Sequence, residues 1–309
     1  MSRYNALAYV LAVFAGGAAL LAAARSEQSR QGLIAAASYL TREADIDVRR
    51  DIAYGSLPRQ HLDLYSPRSR RSRAVIVFFY GGGWESGDRA MYGFVGYALA
   101  SRGLTVAVAD YRLYPEIRFP TFMQDAAAAY VFVARTIAQD ATGAEPIYVM
   151  GHSAGAYIAA LLAYDPAYIR MAEPDAPAPS GVIGMSGPYA FNPTTWPSTR
   201  DIFAAARQTP DQARPIAFVN ASSPPTLLLQ GLADGTVEPY NSRDLCTALR
   251  ASGVWARLIE YPRLGHIPMV LSLARNMRWL APTLDAITDF AISPSRPDQS
   301  GSKPCGGPA

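Results

Sequence analysis

Cysteine and histidine are scarce in this chain of 309 residues, which contains two cysteines and three histidines. The sequence has neither a C-x-x-C pair nor a histidine cluster, so we expect no metal site. A chain exported to an oxidising compartment could pair Cys246 with Cys305. We nonetheless expect both thiols to be free, because Cys305 lies in a Gly/Pro/Ser-rich tail whose mobility opposes the fixed geometry of a disulfide.

Charged residues are also infrequent, at 17% of the chain, and the formal net charge is only +3. No nucleic-acid-binding signature and no internal repeat accompanies this composition. The main local excess of positive charge could contact an acidic surface or lipid headgroups, although a solvated turn is the simpler interpretation. It consists of Arg68, Arg70, Arg71 and Arg73. With 50% hydrophobic residues, the chain can bury one large core, which predicts one sheet-centred domain.

A long apolar stretch lies near the N-terminus. Residues 6–24 carry no charge, follow Arg3 and precede Arg25, and are about as numerous as a bilayer crossing requires. Residues 1–30 are therefore predicted to be either a secretory signal peptide, cleaved after the alanines at 22–24, or an uncleaved membrane anchor. Both place the folded domain outside the cytoplasm. The alternative is a buried N-terminal helix of a cytosolic protein.

The remaining chain has the pattern of an α/β protein. Residues 31–47 are predicted to form a spacer helix, residues 48–292 one domain, and residues 293–309 a disordered tail. Strand-length apolar runs alternate with helical stretches, which predicts a mostly parallel sheet after an initial antiparallel pair. The antiparallel pair is expected at 48–55 and 60–65, the later strands at 75–80, 104–109, 146–151, 181–186, 226–231 and 255–261, and the helices at 90–102, 120–138, 154–164, 238–252 and 268–290.

Ser153 lies in the motif Gly151-His152-Ser153-Ala154-Gly155, between an apolar run and an alanine-rich helical stretch. A strand, a sharp turn and a helix follow one another here, with the serine at the apex. Such a turn needs small residues two positions to either side, because its backbone is strained and the helix and strand approach closely. Gly151 and Gly155 meet this need, so Ser153 is the candidate nucleophile.

A serine hydroxyl needs a positioned imidazole to accept its proton. His152 lies inside the turn, with its side chain directed away from the serine hydroxyl, and His61 lies in an early strand. This leaves His266, in a loop after the last predicted strand, as the candidate base. Without Ser153, a lone loop histidine would be interpreted as a surface residue.

An acid that orients the base is expected after another strand end, between the serine and the histidine in chain order. Asp234 follows the predicted strand at 226–231 and is the leading candidate. It could instead cap the helix expected to begin near Glu238, which is a common role of aspartate. Glu238 is the second candidate acid.

A run of glycines, Gly81-Gly82-Gly83, follows the strand that begins the parallel part of the sheet. Glycines allow the backbone to approach a ligand closely, so that amide groups can point at a developing oxyanion. We assign the backbone N–H groups of Gly82, Gly83 and Ala154 to an oxyanion hole. A flexible glycine turn without this role is the alternative.

Together these residues resemble the α/β-hydrolase superfamily, and within it the esterases and lipases with an H-G-G-G-[WFY] loop, including bifunctional feruloyl/acetylxylan esterase-like carboxylesterases. The resemblance covers about residues 48–290, and the segment Asp110–Glu116 with Phe119-Pro120 adds to it. It implies an α/β-hydrolase fold and a serine hydrolase that cleaves carboxylic esters with Ser153, His266 and Asp234, without metal or organic cofactor.

Tyr80 departs from the family pattern, because relatives usually have the histidine of H-G-G-G at this position. That histidine is thought to brace the loop in relatives, and a tyrosine hydroxyl can also form the necessary hydrogen bonds. We expect the segment Asp110-Tyr111-Arg112 to help hold the same loop.

Two other functions remain open at this stage. Arylformamidases of the same fold also carry a glycine loop followed by tryptophan, and a triad does not distinguish ester from amide cleavage. A catalytically silent, membrane-tethered binding module is the second alternative. The expected partner is a small-molecule ester rather than a nucleic acid, and the oligomeric state is open.

An insertion at about residues 188–225 is rich in proline and aromatic side chains. We interpret it as a small lid that forms a wall of the substrate pocket. The same aromatics could instead pack on the core for burial alone. They are Tyr189, Phe191, Trp196, Phe203 and Phe218.

Overall fold

A computed structural model describes residues 27–41, 43, 45–69, 72, 74–140, 143–292 and 305. At its centre lies an eight-stranded sheet in the order β1-β2-β4-β3-β5-β6-β7-β8. Strand β2 runs antiparallel to both of its neighbours, and every other pair is parallel. The strands are β1 Ile46–Ala53, β2 His61–Pro67, β3 Val75–Phe79, β4 Thr105–Ala109, β5 Ile147–His152, β6 Gly181–Met185, β7 Thr226–Gly231 and β8 Ala256–Tyr261. The expected α/β class with a mostly parallel sheet is confirmed.

The inner strands are apolar runs because helices cover both faces of the sheet. Every residue of β3, β4, β5, β6 and β7 is buried, which is typical of parallel strands between helical layers. The α-helices are α1 Glu27–Leu40, α2 Gly93–Ala100, α3 Thr121–Thr136, α4 Ala154–Tyr164, α5 Ala167–Ala172, α6 Tyr240–Ala251, α7 His266–Leu271 and α8 Thr283–Ile292. Short 3-10 helices occupy Arg89–Tyr92, Ala204–Ala206, Pro210–Ala213, Pro215–Phe218 and Arg275–Leu280, and a two-residue ribbon pairs Gln139–Asp140 with Gly143–Ala144.

The prediction of one continuous helix at 268–290 is wrong. Three shorter elements replace it, namely α7, the 3-10 helix Arg275–Leu280 and α8. Pro282 explains the last break, because the residue before a proline is disfavoured in helical geometry. Ala281 is accordingly extended, with φ −167° and ψ 150°.

The predicted spacer at 31–47 is also corrected. The helix, α1, covers residues 27–40, and strand β1 already begins at Ile46. Leu33 and Ile34 of α1 are buried and belong to the main hydrophobic core. This helix therefore packs on the domain, because its apolar side chains are removed from water there.

The cysteines form a disulfide, contrary to the expectation of two free thiols. Cys246 is fully buried on α6, and Cys305 lies with its Cα atom 5.8 Å from that of Cys246. Cys305 also packs against the core, so this part of the C-terminal segment has a fixed position on the domain. The other residues of the predicted tail at 293–309 lie outside the described residues.

Residues 1–26 lie outside the described part of the chain. They include the apolar segment 6–24 and most of the predicted signal peptide or membrane anchor at 1–30. Among the helices of the described ranges, none has the length and apolar character needed to cross a bilayer.

Candidate active site

Ser153 occupies the sharp turn between strand β5 and helix α4. Its backbone is in a positive-φ conformation, with φ 55° and ψ −123°, and its N–H donates to the carbonyl of Met185 at 2.9 Å. A Cβ atom on Gly151 would lie 2.2 Å from the backbone of Gly155, and one on Gly155 would lie 2.0 Å from the carbonyl oxygen of Phe79. Both glycines are therefore required by the close approach of helix and strand.

Three side chains that are distant in sequence form one hydrogen-bonded line. The Ser153 hydroxyl donates to Nε2 of His266 at 2.9 Å, and Nδ1–H of His266 donates to Oδ2 of Asp234 at 2.8 Å. Parallel strands bring them together, because Ser153 follows β5, Asp234 follows β7 and His266 follows β8 at the same edge of the sheet. His266 is the first residue of helix α7 rather than a loop residue.

Asp234 is buried and held in one orientation. Its Oδ1 accepts the backbone N–H groups of Thr236 and Val237 at 2.9 Å each, which leaves Oδ2 for His266. Burial by itself raises the pKa of Asp234. The hydrogen bond and charge interaction with His266, together with the two amides, outweigh burial and lower this pKa below its usual value.

Glu238, the second candidate acid, does not occupy this position. Its side chain is exposed and lines a cavity beside Ser153. Because Asp234 already accepts the hydrogen bond from Nδ1–H of His266, Glu238 has no place in the hydrogen-bonded line.

His152 makes a contact that the sequence did not predict. Its Nε2–H donates to the backbone carbonyl of His266 at 3.1 Å, and the two imidazole rings lie 4.8 Å apart between centroids. The ring is fully buried; burial, followed by repulsion from His266, lowers the pKa of His152 to about 3. The remaining histidine, His61, is located at the start of β2, with Nδ1 3.2 Å from the carbonyl of Pro58.

The glycine loop lies directly against the turn that carries Ser153. A Cβ atom on Gly81 would be 2.9 Å from Cβ of Ser153, so this position tolerates no side chain. Gly82 and Gly83 have positive φ angles of 130° and 62°, which favour glycine. Gly83 and Ala154 line the same cavity as Ser153, whereas the Gly82 carbonyl accepts the amides of two following residues and closes the loop.

Tyr80 anchors this loop through its side chain. Its hydroxyl donates to Oδ1 of Asp110 at 2.8 Å and accepts from Nη2 of Arg59 at 2.7 Å. Asp110 also pairs with Arg89 and accepts that residue's backbone N–H at 2.8 Å. Burial, then the nearby Asp110 charge, raises the pKa of Tyr80 well above its usual value, so the hydroxyl remains a donor.

The segment Asp110-Tyr111-Arg112 also holds this loop, through a hydrogen bond to the loop backbone. The Tyr111 hydroxyl donates to the carbonyl of Tyr80 at 2.8 Å, and the two rings stack at 4.8 Å. Arg112 forms a multidentate ion pair with the buried Asp125 of α3. These contacts fit the supporting role expected for residues 110–112.

A cavity of about 280 Å³ opens beside Ser153. The insertion at 188–225 supplies part of its wall through Phe191 and Trp196. Tyr189 and Phe203 of the same insertion are fully buried, and the Phe203 ring packs against that of Trp84 in a T-shaped contact. The insertion therefore contains both pocket-lining aromatics and core aromatics.

A metal site requires several side chains that can act as ligands to lie close together. In the part of the chain that the structure describes, no group of three or more His, Cys, Asp or Glu residues is arranged to hold a metal ion. The hydrogen-bonded line at Ser153 is the arrangement suited to nucleophilic chemistry.

Comparison with known proteins gives three kinds of likeness. A model of the BD-FAE family matches residues 62–249. Isoprenylcysteine alpha-carbonyl methylesterase of Arabidopsis thaliana is 31% identical over 72% of this chain, and esterase LipC of Mycobacterium tuberculosis is 28% identical over 78% of it. The chain spans only 57% and 64% of the lengths of these two relatives.

The solved structure of a truncated carbohydrate esterase from gut microbiota superposes with a TM-score of 0.66. The alignment covers 81% of this chain and 96% of that one at 21% sequence identity. At this identity the likeness concerns the fold alone, and it shows the α/β-hydrolase architecture.

Proposed function

This chain belongs to the BD-FAE family, and we propose that it is a serine esterase that cleaves carboxylic esters through an acyl-enzyme on Ser153. The observation that carries the proposal is the continuous hydrogen-bonded line from Ser153 through His266 to Asp234. The printed names of the relatives, a methylesterase and an esterase, support ester cleavage over amide cleavage.

In the first step the Ser153 oxygen attacks the ester carbonyl while Nε2 of His266 takes the hydroxyl proton. Asp234 holds the imidazole by Nδ1 and stabilises the positive charge that the ring acquires. The tetrahedral intermediate then collapses, the bond to the alcohol breaks, and the alcohol oxygen receives the proton from Nε2.

In the second step water attacks the acyl-enzyme, with His266 Nε2 again accepting the proton. The carboxylic acid leaves, and the proton returns to the Ser153 oxygen. We propose that the amides of Gly82, Gly83 and Ala154 stabilise the oxyanion in both steps, and the presence of Gly83 and Ala154 at the cavity of Ser153 supports this role. Removing one such donor typically costs about a hundredfold or more in rate.

The test uses Ser153→Ala with p-nitrophenyl acetate as substrate. Turnover is expected to fall to the background rate, because the nucleophile is absent, while circular dichroism and thermal unfolding remain native. A fluorophosphonate probe is expected to label the native protein and not the variant. Undiminished turnover in Ser153→Ala would exclude the acyl-enzyme mechanism, and a folded native protein without labelling would favour a binding module.

A second assay distinguishes the amide alternative. Native protein is given an acetyl ester and a formyl-arylamine at equal concentration, and kcat/KM is compared. We expect the ester to be preferred. A strong preference for the formyl-arylamine would contradict the esterase proposal and show an arylformamidase-like activity instead.

We propose further that the domain functions outside the cytoplasm, exported or anchored by residues 1–30. The Cys246–Cys305 disulfide supports this proposal, because disulfides persist in oxidising compartments. A fusion of residues 1–60 to alkaline phosphatase, which is active only after export, provides the test. An inactive but stable fusion would contradict export.

A further inference from the structure

The cavity beside Ser153 is lined mainly by uncharged side chains. Of the described residues that line it, Glu238 is the one with a charged side chain, and the others are apolar, aromatic or neutral polar. Glu238 is exposed and forms no ion pair within the described part of the chain. Arg243, the first arginine along the adjoining helix α6, is paired with Glu260 at 2.7 Å and does not line the cavity.

Two large aromatic side chains at the same cavity remain open to solvent. Trp196 of the insertion is 58% exposed, and Tyr240 at the start of α6 is 41% exposed. Most aromatic residues of this protein are buried, including Tyr189 and Phe203 of the same insertion. Trp196 and Tyr240 therefore offer ring surface at the entrance that the fold itself does not use.

The Glu238 carboxylate, which has no ion-pair partner among the described residues, lies at the same cavity as two exposed aromatic rings, and this combination suits one kind of ligand group. Cations are attracted to the faces of tryptophan and tyrosine rings, and a quaternary ammonium is favoured because it is weakly hydrated. The carboxylate of Glu238 adds a further attraction for a cation. An anionic group would meet the repulsion of Glu238 without a cationic side chain to offset it.

We propose that the entrance of this cavity recognises a positively charged ammonium group carried by the ester substrate, with Glu238, Trp196 and Tyr240 as the recognition residues. The proposal rests on the proposed esterase function and specifies its substrate class. Glu238 is then a specificity residue rather than the acid of the catalytic line.

The test compares two inhibitors of the same shape. Choline carries a trimethylammonium group, and 3,3-dimethylbutan-1-ol carries the isosteric neutral tert-butyl group. Their inhibition constants are measured against hydrolysis of p-nitrophenyl acetate, so that the difference between them reports the charge and not the size.

In Glu238→Gln the inhibition constant of choline is expected to rise about fivefold, since an exposed carboxylate contributes modestly. That of the neutral alcohol is expected to change less than twofold. Trp196→Leu keeps an apolar side chain but removes the ring face. It is expected to raise the inhibition constant of choline by a similar factor and to leave that of the alcohol unchanged.

Asp244→Asn is the matched control, because it removes the same charge from an exposed position of α6 that does not line the cavity. It is expected to leave both inhibition constants within twofold. Equal changes for the two inhibitors in Glu238→Gln, or no change in either, would overturn the proposal.

The outcome is separable from that of the proposed function. If native protein hydrolyses p-nitrophenyl acetate but Glu238→Gln does not discriminate choline from the alcohol, only the charge recognition fails. If native protein does not hydrolyse the ester, the esterase proposal fails, and titration calorimetry with choline tests the ammonium site directly. Absence of heat from choline binding to the native protein would then exclude the site as well.

Discussion

Nε2 of His152 lies 3.1 Å from the backbone carbonyl oxygen of His266. The residue that precedes the candidate nucleophile thereby holds the backbone of the candidate base. The other ring nitrogen, Nδ1, would lie 3.0 Å from a Cβ atom on Gly81 of the glycine loop. His152 thus lies between the start of helix α7, which carries the base, and the loop assigned to the oxyanion, and its burial favours the neutral imidazole.

The burial of His152 predicts a pH dependence of stability. Its pKa is about 3 in the folded protein, against an ordinary value of 6.5 for a solvated histidine, so between these values the unfolded chain binds the additional proton. The contribution of neutral His152 to the free energy of unfolding is therefore fully present above about pH 6.5. Between about pH 6.5 and 3 it falls as the pH drops, by about 1.4 kcal/mol per pH unit for one such group. Urea unfolding at pH 7, 6 and 5 measures this slope.

His152→Gln is expected to reduce that slope, because glutamine does not titrate. His61→Gln, which removes a histidine from the start of β2, serves as the control and is expected to keep the native slope. If His152→Gln and the native protein lose stability equally between pH 7 and 5, His152 does not remain neutral as the structure requires.

Asp234→Asn is expected to lower kcat by a factor on the order of 10⁴. The amide oxygen is expected to accept the Thr236 and Val237 N–H groups, so that the NH2 group donates to Nδ1 and His266 loses its working tautomer. KM for p-nitrophenyl acetate is expected to change little, since Asp234 does not line the cavity. Steady-state kinetics measure both. Asp244→Asn controls for loss of a carboxylate and is expected to retain native kcat; a tenfold or smaller loss in Asp234→Asn would remove Asp234 from its assigned role.

Tyr80→Phe is expected to destabilise the protein by about 1–3 kcal/mol, because the buried Asp110 loses a hydrogen-bond donor. It is also expected to lower kcat severalfold through displacement of the glycine loop. Tyr130→Phe removes a hydroxyl bonded to the carbonyl of Pro177 at 2.9 Å, away from the loop. This control is expected to lower stability without changing kcat, and an equal kcat in both variants would contradict the loop-bracing role.

Loss of the disulfide is expected to lower the free energy of unfolding by about 4 kcal/mol, given a cross-link that spans 59 positions. Cys305→Ala tests this by urea unfolding with and without reductant. Dithiothreitol is expected to lower the free energy of unfolding of the native protein to that of the variant, and to leave that of the variant unchanged. Equal stability of the two proteins without reductant would show that the cross-link does not restrain the unfolded chain.

The candidate nucleophile could be located from sequence because its constraints are local. Gly151 and Gly155 are required within two residues of Ser153, and the apolar run before it and the alanine-rich run after it define a strand and a helix. The base followed from the small number of histidines, and chain order indicated Asp234 as the leading acid, with Glu238 as the second candidate. The continuous helix expected at 268–290 is wrong because its apolar pattern continues across Pro282, where the backbone is extended.

Contacts between distant side chains could not be predicted in the same way. Nothing near His152 in the sequence indicates that it hydrogen-bonds to a backbone 114 positions away. Chain order indicated Asp234 as the leading acid, but the turn whose amides orient its carboxylate towards His266 is seen only in the structure. The disulfide was missed because composition indicates the mobility of a segment but not where it packs.

The sequence by itself determined the strand and helix order, the turn at Ser153 and the α/β class, since these follow from periodicity and from steric needs within a few residues. Only the tertiary structure decided which carboxylate meets His266, which aromatics face the cavity, and that Cys305 reaches α6. Those outcomes depend on strand order and register in the sheet, which bring together side chains that no local pattern connects.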